Sequence, residues 1–281
     1  MKKPISQYIE EVWDNISSFD PDSDEYIKAK KSVKIFLDSL DKGAIRSCNQ
    51  IKLGEWTVNE WVKKGILLTL KMFKNEVFNV GFAVYYDKIY PKFDSAVWDE
   101  ENFSKFNIRV LPGSYVRKGA FLGKNVIVMP AFINIGAYID ENTMIDSGTT
   151  VGSCAQIGKN CHISSNVVIA GVIEPISNTP VIIEDNCFIG AGSTISEGVI
   201  VESGAVIASG VHLTSSTKIV NRATGEITMG RVPSNSVVVQ GSIASSENSN
   251  IHINCAVIVK TVTYETRSKT SINTLLRNIT I

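Results

Sequence analysis

Histidine and cysteine supply many of the bases, nucleophiles and metal ligands of proteins, and this chain has few of either. Its three histidines, His162, His212 and His252, are isolated from one another, whereas a zinc site needs closely spaced ligands. The five cysteines are odd in number and include no CxxC pair, which argues against a disulfide framework or a zinc knuckle. They are Cys48, Cys154, Cys161, Cys187 and Cys255. We therefore predict no metal site.

A six-residue repeat defines the elements that must position any site. Every sixth residue is aliphatic from Ile133 to Ile169 and again from Ile183 to Ile219, and the fourth residue after each is mostly small. This pattern is typical of a parallel β-helix, in which each six-residue side is a short strand and a corner, and three sides make one coil. Coils would stack at about 4.8 Å, so that the aliphatic side chains fill the prism.

The repeat is interrupted in ways that predict loops. The spacing between aliphatic residues is one residue short near Pro130 and two residues long around Glu174-Pro175 and Pro180. After Ile219 the chain is predicted to leave the coil for an excursion over 220–230. Loops on a rigid scaffold commonly carry function, so the two excursions could form site walls.

The segments on either side of the repeat read differently. Helical apolar spacing covers 5–16, 25–40 after an Asp22-x-x-Glu25 cap, and 58–73 after a Thr57-x-x-Glu60 capping box. Beyond the repeat, 237–239 and 255–262 resemble strands, 242–250 is polar, and 272–279 resembles a short helix. We predict a helical domain over 1–107, a β-helix over 108–235 and a C-terminal cap of strands and a helix over 236–281.

Composition excludes several classes of protein. Lysine plus arginine equals aspartate plus glutamate at 28 each, so no net charge favours nucleic acid or an anionic membrane. Apolar runs are too short to span a bilayer, and the first seven residues lack the apolar core of a secretory signal. We expect a cytoplasmic protein that binds neither nucleic acid nor membrane.

Six segments carry a resemblance to a known family: 61–71, 106–121, 132–146, 151–160, 182–191 and 254–260. They resemble the tetrahydrodipicolinate N-succinyltransferases of lysine and diaminopimelate biosynthesis, which are hexapeptide-repeat acyltransferases, and the resemblance covers nearly the whole chain. It implies a mainly β fold, a left-handed parallel β-helix with an N-terminal α-helical domain and a small C-terminal cap. It also implies a homotrimer with sites between protomers, because the flat outside of one prism cannot bury a ligand.

The activity that the resemblance implies is transfer of a succinyl group from succinyl-CoA, a co-substrate, to the amine of ring-opened tetrahydrodipicolinate. No permanently bound cofactor is expected. The family's substrate-binding arginine falls on Arg109, whose guanidinium could hold a carboxylate; a surface salt bridge is the alternative. Its acidic residue falls on Asp146, which follows Ile145 and should point outward to bind the amine and accept its proton. The alternative is a corner aspartate that bonds its own backbone.

The family also commonly has an acidic residue where this chain has Gly192, Ser193 and Thr194. The nearest carboxylate is that of Glu197, so a second catalytic carboxylate is either absent or moved to Glu197. His162 is expected to be structural.

CoA would lie along a strip of small residues that lets its pantetheine approach the backbone, with cations nearby for its phosphates. The alternative is that the residues of this strip are small only because the tight corners of the coil require it. The strip is Gly190, Ala191, Ala208, Ser209 and Gly210, and the cations are Lys218, Arg231 and Lys260.

Two other classes of hexapeptide protein fit less well. A γ-type carbonic anhydrase needs three clustered histidines, and a structural or ice-binding β-helix needs regular threonine ladders without inserted loops. The nearest rival is a relative that transfers an acetyl group or uses a sugar amine.

Overall fold

The computed structural model describes residues 3–52, 54–80, 83–94 and 97–262. Its N-terminal part runs in the order α1 (Ile5–Asn15), α2 (Asp24–Asp41), β1 (Cys48–Lys52), β2 (Glu55–Val58), α3 (Glu60–Met72), β3 (Glu76–Val80), β4 (Ala83–Asp87) and α4 (Glu100–Phe106). The three predicted helices are confirmed. The antiparallel hairpins β1–β2 and β3–β4 were not predicted, because their strands carry little buried surface; β1 buries Cys48 alone.

The predicted starts of two helices were wrong by one or two residues. In α2 the N-cap is Ser23, whose Oγ accepts a hydrogen bond from the Tyr26 amide at 3.1 Å. In α3 the helix begins at Glu60, because Thr57 and the residue after it belong to β2 and pair with β1.

From residue 109 the described part of the chain consists of β-strands, most of which are only two residues long and stack into a column. They are β5 (Arg109–Val110), β6 (Tyr115–Val116), β7 (Phe121–Leu122), β8 (Ile127–Val128), β9 (Phe132–Ile133), β10 (Tyr138–Ile139), β11 (Met144–Ile145), β12 (Thr150–Val151), β13 (Gln156–Ile157), β14 (His162–Ile163), β15 (Val168–Ile169), β16 (Ile182–Ile183), β17 (Phe188–Ile189), β18 (Thr194–Ile195), β19 (Ile200–Val201), β20 (Val206–Ile207), β21 (His212–Leu213), β22 (Ile219–Asn221), β23 (Ile227–Thr228), β24 (Arg231–Val232), β25 (Ser236–Ala244) and β26 (His252–Thr261).

Parallel pairing arranges these strands into three faces of a prism. Face 1 contains β5, β8, β11, β14, β17, β20 and β25, face 2 contains β6, β9, β12, β15, β18 and β21, and face 3 contains β7, β10, β13, β16, β19 and β24. The second residue of each two-residue coil strand points inward, as does Val238 in β25. Of these residues, all but Val110 are buried, in one apolar cluster. At about 1.5–3 kcal/mol for each fully buried aliphatic side chain, these columns are a large source of stability. The predicted parallel β-helix is confirmed, with α-helices before it and a small strand cap after it.

The six-residue count was wrong at two places. Ile169 lies on face 2 and Ile183 on face 3, the next side of the prism, although fourteen positions separate them. Because one side normally takes six residues, the inserted loop has eight extra residues rather than the two expected. Ile219 does not continue the coil. The face 3 place after Leu213 is taken by Val232, while Ile219 pairs with Ala256 of β26. The excursion therefore begins directly after β21, earlier than predicted.

An asparagine ladder along the corner between faces 3 and 1 was not predicted. Side-chain amides of successive coils bond one another at 2.7–3.3 Å, and each residue has a positive φ of 49–62°. Asparagine tolerates the left-handed region better than most residues, and here each side chain also satisfies its neighbour. The ladder comprises Asn107, Asn125, Asn142, Asn160 and Asn186.

The far end of the prism is closed by an antiparallel pair. β25 continues face 1 and pairs with β26, which in turn pairs in parallel with β22. The two predicted C-terminal strands are confirmed, although the polar segment 242–250 begins inside β25. The predicted helix over 272–279 lies outside the described residues, and the domain boundaries at 107 and 235 stay a prediction. Within the described ranges, no helix is long and apolar enough to cross a membrane.

Candidate active site

Asp146 lies on the outside of face 1, at the corner that leads to face 2. Backbone hydrogen bonds fix its position: its amide donates to the carbonyl of Ile163 at 2.9 Å, as the amide of Ser164 donates to Ile189 one coil later. The next residue in this outward column is Gly190, and Ala208 follows it. We name Asp146, Ser164, Gly190 and Ala208 the corner column. It joins the predicted catalytic residue to two residues of the predicted CoA strip.

The Asp146 carboxylate is half-buried and only partly engaged. Its Oδ1 accepts a hydrogen bond from the Ser147 amide at 2.8 Å, so the corner interaction that we considered as the alternative is present. That bond orients the carboxylate, and Oδ2 accepts no hydrogen bond from any described residue. A group held by one oxygen can still bind an amine with the other.

Arg109 lies on the same face as Asp146, nearer the start of the prism. It pairs with Ile127, which pairs with Met144, so about two strand spacings, or roughly 9.6 Å, separate Arg109 from the strand that carries Asp146. Its side chain is exposed and forms no ion pair with the described part of the chain. The surface salt bridge that we considered is therefore absent from that part, and the guanidinium is open to a ligand.

His162 also points outward from face 1, on the strand next to that of Asp146. It is half-buried within β14, and its ring lies 5.3 Å from that of Phe188. His212 is on face 2 and His252 is on β26. No cluster of three potential metal ligands occurs among the described residues.

The predicted CoA strip is one continuous surface. The amide of Gly210 donates to the carbonyl of Ala191 at 2.9 Å, and that of Gly190 donates to Ile207 at 2.8 Å. These amides are therefore occupied by the coil itself. The amides of Ala191 and Ser209, both exposed residues, donate to no acceptor within the described ranges, so they are the donors that an extended ligand could use.

The three predicted phosphate-binding cations are not together. Lys218 precedes β22 and Lys260 lies in β26, so both are at the end of the prism near the strip. Arg231 lies on face 3, where its Nη1 pairs with Glu202 Oε1 at 2.7 Å. Within one protomer, Arg231 is thus separated from the strip and already partnered.

Glu197 does not join Asp146 within one protomer. It lies at the corner between faces 2 and 3, where its Oε2 accepts hydrogen bonds from the Ser215 amide at 3.2 Å and hydroxyl at 2.7 Å. It lines a polar cleft of about 760 Å³ together with the inserted loop, including Glu174 and Asn178. Thr194, one of the three residues found where the family has an acidic residue, points outward from face 2.

Lys63 is a buried charge that no sequence pattern singled out. Its side chain on α3 has no exposure, and its ammonium donates to the carbonyl of Asn178 in the inserted loop. Burial lowers the pKa of Lys63, while burial raises the pKa of the nearby thiols of Cys48 and Cys154 to about 12. Those cysteines are therefore protonated and inert as nucleophiles near neutral pH.

Faces 1 and 2 carry apolar side chains that nothing in the described protomer fully covers. Phe132 and Val168 on face 2 are 38% and 37% exposed. Face 3 is different, because the first hairpin and the segment before it cover it. Trp56 Nε1 in β2 donates to buried Glu184 at 2.9 Å, and Arg46 Nε, just before β1, donates to Gln156 at 2.9 Å. Free outer surface thus remains on the two faces that flank the corner column.

Three protein-family models match the chain. They are Tetrahydrodipicolinate N-succinyltransferase N-terminal over residues 4–72, Bacterial transferase hexapeptide (six repeats) over 136–171, and Hexapeptide repeat of succinyl-transferase over 180–215. The chain is 54% identical over 269 residues to the 2,3,4,5-tetrahydropyridine-2,6-dicarboxylate N-succinyltransferase of Rickettsia akari, covering 96% of this chain and 97% of that one. It is 50% identical over 252 residues to the enzyme of the same name from Neisseria meningitidis, with 90% and 91% covered.

The chain belongs to the tetrahydrodipicolinate N-succinyltransferase family. A solved Campylobacter jejuni structure described as a 2,3,4,5-tetrahydropyridine-2-carboxylate N-succinyltransferase shares the fold, with a TM-score of 0.57 over 81% of this chain and 62% of that one, at 15% identity. Membership confirms the resemblance read from the sequence. The roles of Asp146, Arg109 and the CoA strip are tested by none of these comparisons.

Proposed function

We propose that this chain transfers a succinyl group from succinyl-CoA to the amine of ring-opened tetrahydrodipicolinate, in diaminopimelate and lysine biosynthesis. The single observation that carries the proposal is the corner column, in which a carboxylate with one free oxygen continues directly into a strip of small residues. Two relatives at 50–54% identity over at least 90% of the chain bear the name of this activity.

Asp146 acts on the acceptor amine. An ammonium cannot attack a thioester, so it first gives a proton to the free carboxylate oxygen of Asp146. The amine nitrogen then forms a bond to the succinyl carbonyl carbon and the C–S bond breaks. The nitrogen loses a second proton as it becomes an amide, and the departing CoA thiolate takes up that proton and leaves as the thiol. The first proton passes from Asp146 to solvent. The bond from the Ser147 amide holds the carboxylate in place throughout.

Arg109 binds a carboxylate of the acceptor, because an unpaired guanidinium on the same face can form two parallel hydrogen bonds to it. The amides of Ala191 and Ser209 pair with the pantetheine of CoA, and Lys218 and Lys260 meet its phosphates. Arg231 could contribute only from another protomer, since Glu202 and face 3 hold it away from the strip.

We propose a homotrimer in which neighbouring prisms form the grooves that hold both substrates. The apolar outward side chains of faces 1 and 2 support this assembly, since face 3 is occupied by the chain's own hairpin. A cytoplasmic location follows from the need for succinyl-CoA, and five free, buried thiols suit a reducing compartment.

A coupled thiol-release assay with tetrahydrodipicolinate tests the proposal, using succinyl-CoA and acetyl-CoA in parallel. We expect turnover with succinyl-CoA, Asp146→Asn to lower kcat by about 10²–10⁴, and Arg109→Ala chiefly to raise the KM of the acceptor. Light scattering should give three chains per particle for all three proteins. Faster turnover with acetyl-CoA, or unchanged kinetics in either variant, would contradict the corresponding assignment.

A further inference from the structure

A second cleft, of about 530 Å³, lies far from the corner column, in the N-terminal part of the chain. One wall is a single side of α2, where lining residues recur every three or four positions. The opposite wall comes from the end of α3, the start of β3, residues 88–90 and Lys118. The α2 residues are Ile27, Lys30, Lys31, Lys34 and Leu37.

The cleft has an apolar floor under a rim of lysines. The floor includes Leu37, Ile89 and the aromatic ring of Phe73, and Tyr90 stands beside it with 39% exposure. Six of the twelve lining residues are lysines and one is an acid, Glu76, whose Oε2 already accepts a hydrogen bond from the Tyr90 hydroxyl at 2.7 Å.

Most of these lysines have no opposite charge beside them. Lys118 pairs with Asp38 at 2.7 Å and Lys88 donates to the carbonyl of Leu70 at 2.7 Å. The other four form no ion pair with any described carboxylate; Lys30 instead lies 5.3 Å from the centre of the Phe73 ring. These four are Lys30, Lys31, Lys34 and Lys74.

The arrangement is unfavourable without a ligand. Lys30 and Lys34 are four positions apart on α2, and Lys31 and Lys34 are three apart, so like charges face one another along the helix. A polyanion in the cleft would remove this repulsion, and a monoanion would leave most of it.

We propose that this cleft binds a nucleoside polyphosphate, with the aromatic base on the apolar floor beside Phe73 and Tyr90 and the phosphates among Lys31, Lys34 and Lys74. An aromatic ring suits a floor that offers aromatic faces, and several phosphate charges suit a rim of unpaired ammonium groups. The volume lies within the usual range for small-molecule sites. The site is separate from the proposed succinyl transfer and does not depend on it.

The test is a fluorescence titration of the full-length protein with trinitrophenyl-ATP at about 50 mM salt, where charge interactions are weakly screened. We expect saturable binding and displacement by ATP. Lys31→Ala/Lys34→Ala should weaken binding about tenfold or more, since two charge-assisted contacts are lost. Phe73→Leu should weaken binding several-fold, because the base loses an aromatic ring on which to stack.

The matched control is Lys28→Ala/Lys124→Ala, which removes the same charge from exposed lysines outside the cleft and should change affinity less than about twofold. Circular dichroism verifies that each variant is folded. Equal weakening by the control pair would show unspecific attraction and overturn the proposal. Displacement by pyrophosphate as strong as by ATP would refute recognition of the base. Probe binding that CoA displaces and that Lys31→Ala/Lys34→Ala leaves unchanged would place the probe in the acyltransferase groove and also overturn the proposal.

Discussion

Substituting Gly190 by alanine tests whether the small residues of the corner column serve the coil or the ligand. A Cβ at this position would lie 2.4 Å from the Ser209 nitrogen, 2.5 Å from the Ala208 carbonyl carbon and 2.8 Å from the Ile207 oxygen. All three are backbone atoms of the next coil, so no side chain can rotate away to make room. The glycine is therefore required by coil stacking before any ligand is considered.

The size of the effect follows from these distances. Two coils would have to separate by about 1 Å to restore ordinary contact, and the Gly190 amide bond to Ile207, now 2.8 Å, would then be too long to hold. Overpacking costs about 1–3 kcal/mol and the lost hydrogen bond about 0.5–1.5 kcal/mol more. We expect the variant to lose about 2–4 kcal/mol per protomer.

Gly192→Ala is the matched control, two residues away on the same corner. Gly192 has a φ of +70°, and a Cβ added there would have no atom within 4 Å, so alanine meets backbone strain without a clash. That strain costs roughly 1–2 kcal/mol. Urea unfolding at equal protein concentration should place Gly190→Ala clearly below Gly192→Ala. Equal stability of the two variants would refute the reasoning from coil stacking.

Three further predictions concern the core, the thiols and the second carboxylate. Ile163→Ala, in the middle of the face 1 column, should lose about 2–5 kcal/mol in urea unfolding, whereas Val168→Ala on the outside should lose less than about 1.5 kcal/mol. The free energy of unfolding should fall as the pH rises from 8 to 10, because the pKa of the Cys48 and Cys154 thiols is about 12 in the folded chain and near 9.0 in the unfolded chain. Each thiol should lower the free energy of unfolding by about 1.4 kcal/mol at pH 10. Replacing both cysteines by alanine should reduce this dependence on pH. Glu197→Gln should reduce turnover only if a neighbouring protomer brings Glu197 to the groove, so unchanged kcat would leave Asp146 as the sole carboxylate.

The repeat made the coil predictable because its inward positions are set by one rule. A large aliphatic at each sixth position can be buried only if the chain turns a corner every six residues, and Ile133 to Ile169 obeys this without exception. The places where the count failed share a cause. An aliphatic residue within an insertion, such as Ile219, looks the same in the sequence as an inward residue of the repeat. The sequence therefore cannot show that Val232, and not Ile219, takes the inward position on face 3.

Individual site residues were predictable only in part. Asp146 could be placed outside the prism, since it directly follows the inward Ile145, but its column could not be traced to Gly190, because the eight extra residues between Ile169 and Ile183 shift every later strand by one face relative to the expected count. Arg231 could not, because its separation from the strip depends on the length of an excursion and on the pairing with Glu202. Lys63 could not either, since a lysine on an amphipathic helix is normally exposed and its burial depends on a contact more than a hundred residues away.

The position of the first hairpin limits where chemistry can occur on this prism. Glu184 on face 3 is buried to 4% exposure and accepts from Trp56, Gln50 and the Ser203 amide and hydroxyl, so its oxygens are already saturated by the chain itself. A buried carboxylate with these hydrogen bonds stabilises the packing of the first hairpin on face 3 and has no oxygen free for a substrate. Asp146 in the corner column has the opposite arrangement, a half-buried carboxylate with one oxygen that accepts no hydrogen bond from the described residues. Glu184 and Asp146, which both directly follow an inward isoleucine, thus differ in the availability of their oxygens, because the first hairpin covers face 3 and leaves the corner of face 1 open.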